Sequence, residues 1–165
     1  MPAEDSESLP RMQTIVVAID GSELSTYALR VAAHMAQQDQ ARVVAVHVRH
    51  VAAAGLGAAD VVGTLDTSRF YDAALEVAQD AKKSATKVLG GAGLTGWTYE
   101  ERSGPQVESL VEAINEHHGD LVVVGSHGHN PLYDLIVGSI AQGLLTHAPV
   151  SVLVARPYRS HTAAD

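Results

Sequence analysis

Polar and apolar positions along this chain alternate between two rhythms. Thr14–Ile19 (TIVVAI), Arg42–Val48 (RVVAVHV), Leu121–Val124 (LVVV) and Val150–Ala155 (VSVLVA) are short, β-branched, nearly continuous apolar runs. That is the pattern of strands covered on both faces. Trp97–Arg102 (WTYEER) is a more polar run and reads as a weaker fifth strand. Helical spacing fills the gaps. Ser25–Gln38 places Ala28, Val31, Ala32 and Met35 on one stripe, and Asp66–Leu89 continues such a stripe through Phe70, Ala74, Val77, Ala81, Ala85 and Val88 before Gly90-Gly91. A third helix is expected from Ser103-Gly104-Pro105-Gln106 to about His118, with Ser103 and Gln106 spaced as a capping box. A fourth runs from Ser139 to His147.

The order is strand, helix, strand, repeated to a closing strand. With right-handed crossovers it predicts an α/β fold, a doubly wound, mostly parallel sheet of five strands with four helices on its two faces. No internal repeat or second composition zone divides it, so residues 12–157 form one domain between a polar tail at 1–11 and another at 158–165. The Ala/Gly-rich, weakly charged segment His50–Leu65 reads as a long connection.

Composition narrows the function. The length of 165 residues suits a single domain, and 46% hydrophobic with only 4% aromatic residues implies a core of Val, Ala, Leu and Ile. Lys and Arg number 11 against 19 Asp and Glu, a net charge of −8, which is a poor match to nucleic acid or an anionic membrane surface. Cysteine is absent, which excludes disulfides, thiolate metal sites and thiol nucleophiles. No run approaches the ~20 apolar residues of a membrane span. The acidic start, with Glu4, Asp5 and Glu7, is not a signal peptide. A cytoplasmic protein is expected.

Ligands of open α/β sheets collect beyond the carboxyl ends of the strands. Two such ends carry chemistry, Asp20-Gly21-Ser22 after the first strand and Gly125–Ser139 (GSHGHNPLYDLIVGS) after the fourth. Gly125, Gly128 and Gly138 let backbone amides approach a ligand. Gly138-Ser139-Ile140 puts free amides and the positive end of a helix dipole at one point, a phosphate site, with the Ser139 hydroxyl as a further donor or as a helix cap. Asp20 can accept hydrogen bonds from a ribose hydroxyl or an adenine amino group. Set against this, glycines after strands are also ordinary turn residues.

Gly125-x-x-Gly128 followed by nine residues and Gly138-Ser139 resembles the nucleotide motif of the universal stress protein family, in its ATP-binding branch. The resemblance runs over about residues 12–157 and takes in Asp20-Gly21-Ser22, Val46-His47-Val48 and the closing Ala148–Val154. It implies a five-stranded Rossmann-like sheet, ATP (or ADP or AMP) as ligand, a regulatory role in stress responses, and a homodimer paired through the last strand, Val150–Val154. On that resemblance Ala18 and Asp20 line the adenosine pocket and Val48 contacts adenine through its backbone. Gly125, Ser126, His127 and Gly128 lie near the ribose and α-phosphate, and Gly138, Ser139 and Ile140 hold the terminal phosphates. Lys and Arg are absent from Glu116 through Ala155. Mg²⁺, or His127 and His129, is then expected to share the triphosphate's negative charge.

Other chemistry is poorly supported. His127 with His129, His117 with His118, and His47 with His50 do not by spacing make the three or four ligands of a tight metal site; His47, inside a strand pattern, reads as a satisfied core residue. The P-loop and the hydrolase nucleophile elbow are both missing. The alternatives carried forward are a slow ATPase using the same pocket and a dimeric interaction protein that needs no nucleotide.

Overall fold

A computed structural model of the chain describes residues 11–49, 67–126 and 137–157. Five strands form one parallel sheet, β1 (Thr14–Ile19), β2 (Arg42–Arg49), β3 (Trp97–Ser103), β4 (Leu121–Gly125) and β5 (Ser151–Ala155), in the order β3-β2-β1-β4-β5. Four helices connect or flank them, α1 (Glu23–Asp39), α2 (Thr67–Ala85), α3 (Gln106–Glu116) and α4 (Ser139–His147). A π-helical turn, Thr86–Gly90, extends α2. The expected architecture is the one observed.

The side-chain alternation of the strands sorts the core into two layers. Ile15, Val17 and Ile19 of β1 pack with Ala28, Leu29, Ala32 and Ala36 of α1 and with Ala81, Ala85 and Leu89 at the end of α2. Val16 and Ala18, with Val44, Val46 and Val48 of β2, face Leu110, Ala113 and Ile114 of α3 and Ala141 and Leu144 of α4. The alanines let α1 approach the sheet closely. Each fully covered Ile, Leu or Val contributes about 1.5–3 kcal/mol of burial.

The chain steps outward from β1 to β2 to β3, then returns across the sheet to β4. The strand order therefore reverses between β1 and β4, the place where an open parallel sheet leaves a crevice. Asp120 fixes the opposite end of that pair, its Oδ2 accepting from the Gln13 and Thr14 amides at 2.7 and 2.9 Å.

Two local expectations change. The capping box at the start of α3 does not form. Ser103 is still paired in β3 opposite Arg49, Gly104 (φ +141°) turns the chain, and Pro105 is the N-cap, with no side-chain cap bond. Ser139 does not cap α4 either. Gly138 takes the cap position, Ser139 is the first helical residue, and no side chain caps the helix. Trp97 packs against the α1–α2 core from β3, an edge strand. The connection His50–Leu65 lies outside the described residues.

Candidate functional site

At the end of β1, Asp20 is tied into the turn. Its Oδ1 accepts from the Ser22 amide at 2.9 Å, and Ser22 in turn caps α1 by accepting from the Ser25 amide at 3.2 Å. Gly21 between them has φ +81°, and a Cβ there would lie 3.2 Å from the Ala81 amide nitrogen. Only glycine turns the chain this tightly against α2. A carboxylate offers about four acceptor positions, and the Ser22 amide occupies one of them.

At the end of β4, a Cβ on Gly125 would lie 3.1 Å from the carbonyl carbon and oxygen of Leu24, both backbone atoms. The first turn of α1 crosses over β4 here because there is no side chain in the way. Ser126, 2% exposed, donates its amide to the Ala155 carbonyl at 3.2 Å, and its own carbonyl accepts from the Gly138 amide at 2.7 Å. These bonds bring the start of α4 back beside β4. They also correct one expectation, since the Gly138 amide is engaged internally and the donors of the first turn of α4 then begin at Ser139 and Ile140. Those amides sit in the first turn, where a helix has no partners of its own and its dipole is positive.

A cavity of about 620 Å³ opens at this crevice. It is lined by Ala18, Asp20 and Val48 at the ends of β1 and β2, by Gly125, and by Gly138, Ser139 and Ile140 at the start of α4. The structure thus gathers these sequence candidates around one space. Ser126 is buried beside that space rather than among its lining residues. His127, Gly128 and His129 lie outside the described residues.

The cavity also has walls the sequence reading did not select. Ala73, Ala74 and Val77 of α2 border one side, and Gln106 and Leu110 of α3 the other. Nothing in their local pattern marks them; helix packing brings them there. His47 and Arg49 of β2 line it as well. Arg49 had a signal, because it closes a strand at the carboxyl end where ligands collect, immediately after Val48.

Arg49 is the one Lys or Arg among the described lining residues, and Asp20 the one carboxylate. Arg49 Nε is shielded from solvent and lies 2.8 Å from Glu101 Oε1, an ion pair without hydrogen-bond alignment. Behind this pair, burial pushes the Tyr99 phenol up to about 12; the Glu101 charge adds to the rise and Arg49 offsets part of it. Tyr99 therefore stays neutral and donates to the Ala78 carbonyl at 3.2 Å, fixing α2 against β3.

A second charged cluster sits on the α3 face of β3. Arg102 pairs with Glu100 and Glu116, and Glu112 lies 3.9 Å away. His117 Nε2 lies 2.6 Å from Glu100 Oε2. Burial raises the Glu100 carboxyl, but hydrogen bonds from His117 and Arg102 outweigh it and hold the group below its ordinary value. Arg102 is raised, chiefly by its bond to Glu116. None of these residues lines the cavity. Among the described residues, no three His, Asp or Glu side chains converge as a metal site, and no helix is long and apolar enough to cross a membrane.

A parallel sheet with the order 3-2-1-4-5 and a crevice at its switch point define an α/β domain of the Rossmann-like class. Residues 12–156 match the family model described as the universal stress protein family, and the chain belongs to that family. It is 30% identical over 150 residues to universal stress protein YxiE of Bacillus subtilis (strain 168), covering 86% of this chain and 97% of that protein. Among solved structures, the universal stress protein UspA from Lactobacillus plantarum superposes with a TM-score of 0.75 at 28% identity, covering 89% of this chain and 99% of that one. A universal stress protein in complex with cAMP superposes with a TM-score of 0.67 at 26% identity, again over 89% and 99%.

Proposed function

We propose that this protein binds an adenine nucleotide in the crevice between β1 and β4 and acts as a nucleotide-responsive regulatory module in the cytoplasm. ATP is the ligand of this reading, with ADP or AMP as the alternatives. The observation that carries it is the placement of the α4 start, whose first-turn amides and dipole border the same 620 Å³ space as the Asp20 carboxylate. Phosphate at the helix start and ribose hydroxyls at Asp20 meet groups of opposite polarity. The solved relative carrying cAMP supports a ligand of this class. His127, Gly128 and His129 would contribute to the ribose and phosphate end.

Asp20 adds negative charge to a site with one full cation among its described lining residues, so Mg²⁺ accompanies a triphosphate in this reading. The second part is a homodimer through β5. That strand ends the sheet, and Val152, Leu153 and Val154 along it are half-buried, the profile of an edge awaiting a cover.

Native mass spectrometry of the protein as purified, then titrated with ATP, ADP, AMP and cAMP with and without Mg²⁺, tests both parts. Retained adenine nucleotide in a two-chain species is the expected result. Absence of any nucleotide-bound species at millimolar concentration overturns the ligand, and a monomer at all concentrations overturns the dimer. The slow-ATPase alternative is favoured instead by phosphate release that falls with Asp20→Ala.

A further inference from the structure

Helix α2 is built into the body along only part of its length. Ala81 and Ala85, with Leu89 in the turn that follows, are fully buried with α1 and the sheet, and Ala78 one turn earlier is buried as well. The residues before Val77, Asp72 through Glu76, are all exposed. Such a run is longer than one helical turn, so no face of this stretch is covered by the body. Its inner side nevertheless borders the cavity, where Ala73, Ala74 and Val77 form part of the wall. Their spacing of one and then three residues puts them on one stripe of the helix.

The later half is held at three points. The Tyr99 hydroxyl donates to the Ala78 carbonyl at 3.2 Å. The backbone at Asp80 and Ala81 rests on the turn after β1, where a Cβ on Gly21 would lie 3.2 Å from the Ala81 nitrogen. Thr26 Oγ1 lies 3.5 Å from Ser84 Oγ. The first of these contacts marks a pivot. Helical pairing gives the Ala78 carbonyl to the Lys82 amide, and a side chain that enters such a pairing is one of the causes of helix bending.

We propose that the overhanging part of α2, Asp72–Val77, is a lid that tilts about Ala78 onto an occupied cavity. The inference rests on the nucleotide-binding reading above and adds its conformational consequence. Without ligand, Ala73 and Ala74 face water. With the lid closed, they and Val77 are covered by an apolar face of the ligand. Those contacts exist only in the occupied, closed form, so the ligand shifts the population toward it. Small side chains on the lid leave room for the ligand between α2 and the opposite wall, Gln106 and Leu110 of α3. Asp72, Leu75 and Glu76, exposed and outside the cavity wall, move with the lid and carry the signal to the outer surface.

The chain has no cysteine, so introduced pairs take spin labels only where they are wanted. Asp72→Cys with Glu108→Cys spans the cavity from the lid to α3, and Lys83→Cys with Glu108→Cys starts from the anchored half of α2; all three positions are exposed. Six residues separate Asp72 from Ala78, about 9 Å of helix, so a tilt of about 20° moves Asp72 by about 3 Å. Pulsed electron spin resonance measures both distances with and without ATP and Mg²⁺, in labelled chains diluted with unlabelled protein. ATP is expected to shorten the Asp72 pair by about 3 Å and to leave the Lys83 pair unchanged. Ala74→Gly, which weakens the lid helix and removes one of its cavity-facing methyl groups, should speed ATP dissociation about fivefold.

An Asp72 distance that stays the same or lengthens while ATP is bound overturns the lid and leaves nucleotide binding standing. Equal changes in the two pairs do so as well, because α2 then moves as one piece, and so does an Ala74→Gly that releases ATP at the wild-type rate. Failure of the unlabelled wild type to bind ATP overturns both.

Discussion

Gly143 sits inside α4, and a Cβ added there would lie 2.5 Å from Val107 Cγ2 on α3. Ordinary carbon contacts are about 3.5–4.0 Å, so Gly143→Ala drives its methyl group about 1 Å too far into Val107. Turning Val107 does not help. Its Cγ1 and Cβ are already 3.3 and 3.4 Å from the same point, and a β-branched side chain on a helix has essentially one rotamer. Replacing a helical Gly by Ala gains about 1 kcal/mol of propensity. Overpacking of this kind costs about 1–3 kcal/mol, so Gly143→Ala should be destabilised by about 1 kcal/mol. Val107→Ala alone removes a half-buried methyl pair and should also cost about 1 kcal/mol. Together they should nearly cancel, because the methyl group introduced at position 143 fills the space Val107 vacates and the propensity gain remains. The coupling in the double-mutant cycle is therefore about 2 kcal/mol, and each single variant should melt about 3 °C below wild type.

Urea unfolding of the four proteins measures it. The same displacement reaches the site, since α4 pushed away from α3 carries the Ser139 and Ile140 amides with it. Nucleotide affinity should fall in Gly143→Ala and return in the double variant. Additivity within about 0.5 kcal/mol, or a Gly143→Ala more stable than wild type, would refute the packing argument.

Asp120→Ala strips the Gln13 and Thr14 amides of their acceptor and should cost about 2 kcal/mol in chemical unfolding, with Asp120→Asn intermediate; a loss under about 0.5 kcal/mol would count against the clamp at the start of β1. Glu100 titrates below its ordinary value of 4.5 in the folded protein, so its pairing stabilises above that pH and the contribution is lost as pH falls through the folded value. Glu100→Gln should therefore melt below wild type at pH 7, with the gap closing in acid. A gap independent of pH would show that His117 and Arg102 do not hold the carboxylate.

Sequence alone determined the order and type of the elements, because apolar runs of period-free β-branched residues and stripes of period 3.6 are local signals. It also marked Asp20 and the Gly138–Ile140 turn, since turn and cap residues act on the backbone within a few positions of themselves. Tertiary structure decided the rest. Whether Ser139 caps α4 depended on where Ser126 holds the chain, and the Gly138 amide was withdrawn from the site by that same contact. Ala73, Ala74, Val77 and Gln106 became cavity walls only when the crossovers laid α2 and α3 on opposite faces of the sheet. His47 shows the division most clearly. Its burial is legible in the alternation of β2, but the Ile19 carbonyl that lies 3.0 Å from its Nδ1 belongs to another strand, 28 residues earlier. A hydrogen-bond partner that distant in sequence leaves no mark on the local pattern.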